Sequence, residues 1–254
     1  MTQKQIEHGY WLLDKANDFP PESITFPNEY KGTKRASIAC TQLLEVTPSE
    51  QKKLVKEWTQ FLPNCQEIEI LWFPTQTSQD IFESACMLKN LEGLNIKWSN
   101  IKNLDSITEL KYLKYLKIGS SAKIESIHPL TSLTNIEVLV IENFKKITDF
   151  SPLAALTNLK FLSIEGGMYT KQKVDSFEFV SELKNLLYFS TAMIICPDKR
   201  IDPILTLKNL MTLNWSFDLS QKEMQRLKIE LPNLKYLPHR YYEDNIKKIK
   251  ALFG

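Results

Sequence analysis

The side chains here that most often bind metal or act as nucleophiles are His8, His128, His239, Cys40, Cys65, Cys86 and Cys196. Imidazoles would supply metal ligands or a general base, and thiolates would supply a nucleophile or zinc ligands. Their spacing supports neither chemistry. No two cysteines form C-x-x-C, and no histidine sits at metal-ligand spacing from a cysteine or carboxylate. H-E-x-x-H, G-x-S-x-G and the P-loop pattern are absent. His128 precedes Pro129 in a turn, and His239 follows Pro238 near the C-terminal edge. Gly166-Gly167 offers too little backbone to cradle a phosphate and reads as a turn. Glu67 and Glu69 would share one face of a strand as solvated carboxylates rather than an acid–base pair. The expectation is a non-enzyme with no metal, no cofactor and no small-molecule substrate. The four cysteines read as small buried hydrophobes.

Composition points the same way. With 43% hydrophobic residues, 24% charged residues and a formal charge of +2, the 254-residue chain can bury a large core. The near-neutral balance gives no reason to expect nucleic acid or an anionic membrane as partner. Met1 is followed by Thr2, Gln3, Lys4 and Gln5, and no apolar run is long enough for a signal or a span, so a cytoplasmic location is expected.

Any functional surface must therefore come from how the elements stack. The phrase Asn135-Ile136-x-x-Leu139-x-Ile141 returns 23 residues later as Asn158-Leu159-x-x-Leu162-x-Ile164. Backwards it recurs at Leu113-x-x-Leu116-x-Ile118 and Asn90-Leu91-x-x-Leu94-x-Ile96, and more weakly at Asn64-Cys65-x-x-Ile68-x-Ile70. Forwards it recurs at Asn185-Leu186, Asn209-Leu210 and Asn233-Leu234. Self-similarity at this period means stacked repeats. The two longest steps, 65 to 91 and 159 to 186, predict insertions in Thr75–Cys86 and Met168–Ser176. Between the phrases apolar residues recur every third position, as in Ile147, Phe150, Leu153 and Leu156. That step predicts a 3₁₀ return, while the L-x-I part predicts a short strand. Pro129, Pro152 and Pro203 suit the start of such returns.

On these phrases the stretch Asn64 to Leu237 resembles the leucine-rich-repeat family, nearest its short internalin-type repeats. The resemblance implies an α/β solenoid: a curved parallel β-sheet on the concave face, with helices, 3₁₀ turns and loops on the convex face. One departure stands out. Where the family carries a ladder asparagine, this chain has Ser99, Ser121, Phe144 and Gly167, so the asparagines that begin the strands are expected to bond local backbone instead.

Three helices are expected in the outer repeats, the middle ones carrying only tight returns. Thr47-Pro48-Ser49-Glu50 and Ser220 with Glu223 are capping boxes, and Ser78–Leu88 looks like a further helix. Residues 1–46 read as an N-terminal cap segment, with a partner-binding arm as the alternative for 1–36. Residues 47–240 read as the solenoid and 241–254 as a C-terminal capping helix, all in one continuous, monomeric domain.

Strand alternation then defines the face that could bind. Tyr115, Val138, Phe161 and Tyr188 are expected as a contiguous apolar stripe on the open concave side, flanked by Lys97, Lys117, Val140, Glu142 and Glu165. Tyr236, Pro238 and Arg240 would continue the columns. Lateral stacking of the rings on one another is the competing explanation. Trp72 and Trp98 fall in the core or on the rim. The functional expectation is a module that binds another protein through this face. A narrower alternative, resting on format, is an intracellular inhibitor or immunity-type protein for one toxin or enzyme. An enzyme with its site in an insertion is the rival from another class.

Overall fold

A computed structural model describes Tyr10, Trp11 and residues 14–235. The expected capping helix 241–254, and Tyr236, Pro238, Arg240, His8 and His239, lie outside the described residues. The strands are β1 (Ser23–Ile24), β2 (Arg35–Ile38), β3 (Ile70–Thr77), β4 (Gly93–Ser99), β5 (Tyr115–Ile118), β6 (Val138–Glu142), β7 (Phe161–Glu165), β8 (Gln172–Lys173), β9 (Tyr188–Ala192), β10 (Ile194–Ile195) and β11 (Thr212–Asn214). The helices are α1 (Pro48–Phe61), α2 (Gln79–Ala85), α3 (Asp202–Leu205) and α4 (Gln221–Glu230). Nine strands form one parallel sheet in the order β1-β2-β3-β4-β5-β6-β7-β9-β11, and β8 and β10 form a small second sheet.

Each repeat builds its strand from residues that alternate between core and concave face. Leu94, Leu116, Leu139, Leu162, Phe189 and Leu213 stand in register as one column, fully buried. Ile96, Ile118, Ile141 and Ile164 form the next. Thr191 ends that column, its hydroxyl accepting a hydrogen bond from the Ser216 amide at 2.9 Å. The chain returns along the convex side through five-residue 3₁₀ turns at Asp105–Glu109, His128–Ser132, Ser151–Ala155 and Glu178–Glu182. Pro129 and Pro152 take their second position, within the first turn where an amide N–H would go unused. No helix among the described residues is long and apolar enough to cross a membrane.

The capping signals act as their chemistry predicts. Thr47 and Ser220 each accept from the third amide of α1 and α4, while Glu50 and Glu223 return to the cap amides. Ser78 caps α2.

Three details differ from expectation. First, β3 pairs Leu71 with Leu94 and Phe73 with Ile96. The first repeat phrase is thus Ile68-x-x-Leu71-x-Phe73, and 68 to 91 is the ordinary 23-residue step. The Cys65 register was offset by three because Ile68 and Ile70 mimic the L-x-I spacing. No extra length is inserted at Thr75–Cys86; α2 replaces the 3₁₀ return. Second, the asparagines before the strands do not bond local backbone. Asn135, Asn158, Asn185, Asn209 and Asn233 each donate to a carbonyl of the preceding repeat, those of Lys111, Thr134, Thr157, Lys184 and Lys208, at 2.7–3.1 Å. At the family's ladder positions Ser99 and Ser121 share a buried hydroxyl–hydroxyl hydrogen bond at 2.6 Å, and the asparagines add a second inter-repeat clamp. Third, residues 23–38 add β1 and β2 to the sheet itself.

The Met168–Ser176 insertion contains β8, which pairs with β10. All four cysteines are buried and free. Burial pushes the Cys40 thiol up to about 12 and the Cys65 thiol up to about 11, and it raises those of Cys86 and Cys196. Thiolate is therefore scarce at neutral pH. Native protein at pH 8 should react with a disulfide reagent such as Ellman's at least ~100-fold more slowly than unfolded protein. Rapid native labelling at any of the four would show that its repeat opens.

Candidate functional site

Sheet register places the concave columns. The first runs Arg35, Ile70, Gly93, Tyr115, Val138, Phe161, Tyr188 and Thr212. The second runs Ser37, Trp72, Asn95, Lys117, Val140, Ser163, Ser190 and Asn214. Tyr115, Val138, Phe161 and Tyr188 are thus brought side by side, with Val140 beside them in the second column. Glu67 and Glu69, expected to share one strand face, precede β3 and are not in these columns. Leu71 is core, and Glu69 pairs with Lys34 at 2.6 Å.

The stripe is not open. Val138 is 0% exposed, Phe161 3% and Val140 8%, whereas Tyr115 and Tyr188 are half-buried. Lateral stacking accounts for part of this: the Phe161 and Tyr188 rings lie 3.9 Å apart and 9° from parallel. The chain's own N-terminal segment accounts for more. Tyr10 stacks on Tyr115 at 4.1 Å and 12°. Trp11 meets Trp72 edge-on at 4.9 Å, and Phe19 meets Trp72 edge-on at 4.4 Å. Burial raises the phenol pKa of Tyr10, Tyr115 and Tyr188.

Two features escaped sequence reasoning. Trp72 is a concave residue, hidden by the offset register of the first repeat. Gly93 is a notch in the floor: a Cβ there would lie 2.6 Å from Ile70 Cδ1 and 3.4 Å from the Trp11 ring. Tyr10 and Trp11 belong to the expected N-terminal cap segment, and their place on the sheet was not legible in the sequence.

The charged flank lies farther along the strands. Lys97 is exposed; Lys117, Glu142 and Glu165 are half-buried. Glu142 and Glu165 are register partners. Burial raises the Glu142 carboxyl above its usual range; Lys117 opposes the shift, and Glu165 adds to it. Ser163 donates to Glu165 at 2.6 Å. No cluster of three or more metal-ligating side chains occurs among the described residues. An open hollow of about 680 Å³ between Pro27–Glu29 and α1 is lined by Glu29, Glu57, Gln60 and Phe61. Glu29 there is engaged by the Thr25 and Phe26 amides, and no thiol or imidazole lines the hollow.

No protein-family model matches the chain, and no curated protein does. Several solved structures are similar to it. One is internalin C2 of Listeria monocytogenes, at 24% identity and a TM-score of 0.54 over 68% of this chain and 72% of that one. Another is a leucine-rich-repeat protein of Leptospira interrogans, at 21% identity and 0.48, over 69% of this chain and 50% of that one. A third is the plant peptide hormone receptor RGFR1 in complex with RGF2, at 14% identity and 0.52, over 89% of this chain and 33% of the receptor. At such identities the likeness is one of fold alone. With its 23-residue repeat and nine-stranded parallel sheet, this chain is a leucine-rich-repeat solenoid.

Proposed function

We propose that this chain is a non-catalytic module that binds another protein on its concave sheet. One observation carries the reading. The solvent-side columns of an ordinary sheet are polar, yet here the first column holds Tyr115, Val138, Phe161 and Tyr188 in unbroken register, with Ile70 beyond Gly93, and the second adds Trp72 and Val140. Aromatic rings rimmed by charge are the composition of protein interfaces. The plant receptor of similar fold is solved in complex with RGF2.

In this reading Tyr115 and Tyr188 are contact rings, Val138, Val140 and Phe161 their platform, and Lys97, Lys117, Glu142 and Glu165 the specificity charges. The test is capture of a partner from extract of the source organism, followed by titration. Tyr115→Ala and Tyr188→Ala should each weaken binding by about 2 kcal/mol, roughly 30-fold. Phe161 is too buried for a clean binding test. If both tyrosine variants keep wild-type affinity and melting temperature, the partner sits elsewhere.

A further inference from the structure

Resting on that reading, we infer that Tyr10, Trp11 and Phe19 form a tethered competitor: they occupy in cis the place that an aromatic-bearing segment of the partner protein takes in trans. The rings cover one end of the stripe. Trp11 lies over the Gly93 notch and against Trp72, Tyr10 lies on Tyr115, and Phe19 stands against Trp72. A Cβ at position 93 would displace the tip of the Ile70 side chain and touch the Trp11 ring at 3.4 Å, so glycine keeps the floor low beneath that ring.

The manner of attachment is that of an exchangeable occupant. Among the described residues of 10–19, the backbone-to-backbone hydrogen bonds stay within the segment: the Asp14 amide donates to the Phe19 carbonyl at 2.7 Å, and the Phe19 amide donates to the Asp14 carbonyl at 3.0 Å. The Asn17 amide also donates to Asp14 O. The segment is held on the sheet by ring contacts, by Arg35 donating to the Asn17 carbonyl at 3.2 Å and by the Arg35 guanidinium 6.0 Å from the Phe19 ring. Its described residues add no strand to the ladder. The Trp11 indole N–H is buried without an acceptor among the described residues. An unmet buried donor penalises the docked state, and a competing segment that supplies an acceptor, or a ring without a donor, avoids that penalty. The short tether compensates through high effective concentration, so the face stays covered until a partner outcompetes it.

The probe is a fluorescein-labelled synthetic peptide of residues 8–21, titrated by anisotropy into full-length wild type and full-length Tyr10→Ala/Trp11→Ala. The variant should bind the peptide at least ~10-fold more tightly, because the cis competitor is gone. A peptide carrying alanine at both ring positions should not bind. Equal affinity for the two proteins, or no binding to a folded variant, overturns the proposal. If the double variant does not fold, Tyr10→Ala alone, which removes only the ring on Tyr115, carries the same comparison. Partner capture separates this inference from the reading beneath it. Equal capture by wild type and variant removes the competitor and leaves protein binding standing; capture by neither removes protein binding, while the peptide titration still judges the competitor.

Discussion

Leu139→Ala and Leu162→Ala should each lower the unfolding free energy by about 2–5 kcal/mol, read from the urea midpoint at unchanged slope. Both side chains are fully buried, and they stand directly opposite each other on β6 and β7. Each truncation loses the transfer free energy of the removed atoms and leaves a cavity in a column whose neighbours above and below are also wholly enclosed. A solenoid cannot close that gap by moving one repeat, because each repeat is held to the next by the strand ladder and by asparagine clamps such as Asn158 to the Thr134 carbonyl. The two sites touch, so the double variant should depart from additivity. The exposed Lys145→Ala is the control and should cost under about 0.5 kcal/mol. Leucine variants that melt like the control would mean that the columns are not the core.

Trp58→Ala should cost about 3–5 kcal/mol. Trp58 is fully buried on α1, and its indole N–H donates to the Thr25 carbonyl at 2.7 Å. That bond ties α1 to the segment that leads from β1 to β2. Alanine removes the ring, opens a void against Phe61 and leaves the Thr25 carbonyl without this donor. Trp58→Phe keeps most of the packing and loses the bond, so it should fall between wild type and alanine. Hydrogen exchange should localise the loss: amides of β1 and β2 should exchange faster, while those of β6 and β7 keep wild-type protection. Uniform loss across the sheet would instead show one cooperative unit with no separate N-terminal end.

Much of this architecture was legible because a repeat states its own register many times. Leu116, Leu139 and Leu162 each predicted the others' positions, and Thr47, Ser78 and Ser220 announced their helices through local chemistry. Errors arose where the phrase was weak or ran out. Ile68 and Ile70 matched the strand spacing as well as Leu71 and Phe73 did, so one repeat was offset by three. That hid Trp72 from the concave face. Residues 23–38 carry no leucine phrase, yet their strands join the sheet because β3 would otherwise present an edge of unpaired N–H and C=O groups.

The amino-acid sequence by itself determined the solenoid, most of its core columns and, from β4 onward, which residues share the concave side. Those follow from periodicity, and periodicity is local: alternation and a recurring step send each leucine inward whatever lies elsewhere. Only the tertiary structure decided that Tyr10 and Trp11 lie on Tyr115 and Trp72, and that Val138 and Phe161 are enclosed. Such contacts join positions far apart in the chain, outside any repeat, and they depend on complementary shape: a glycine notch, a stacked ring, an arginine reaching one carbonyl. Ring chemistry marks a residue as able to stack, but which ring it meets is set by where the whole chain places the two.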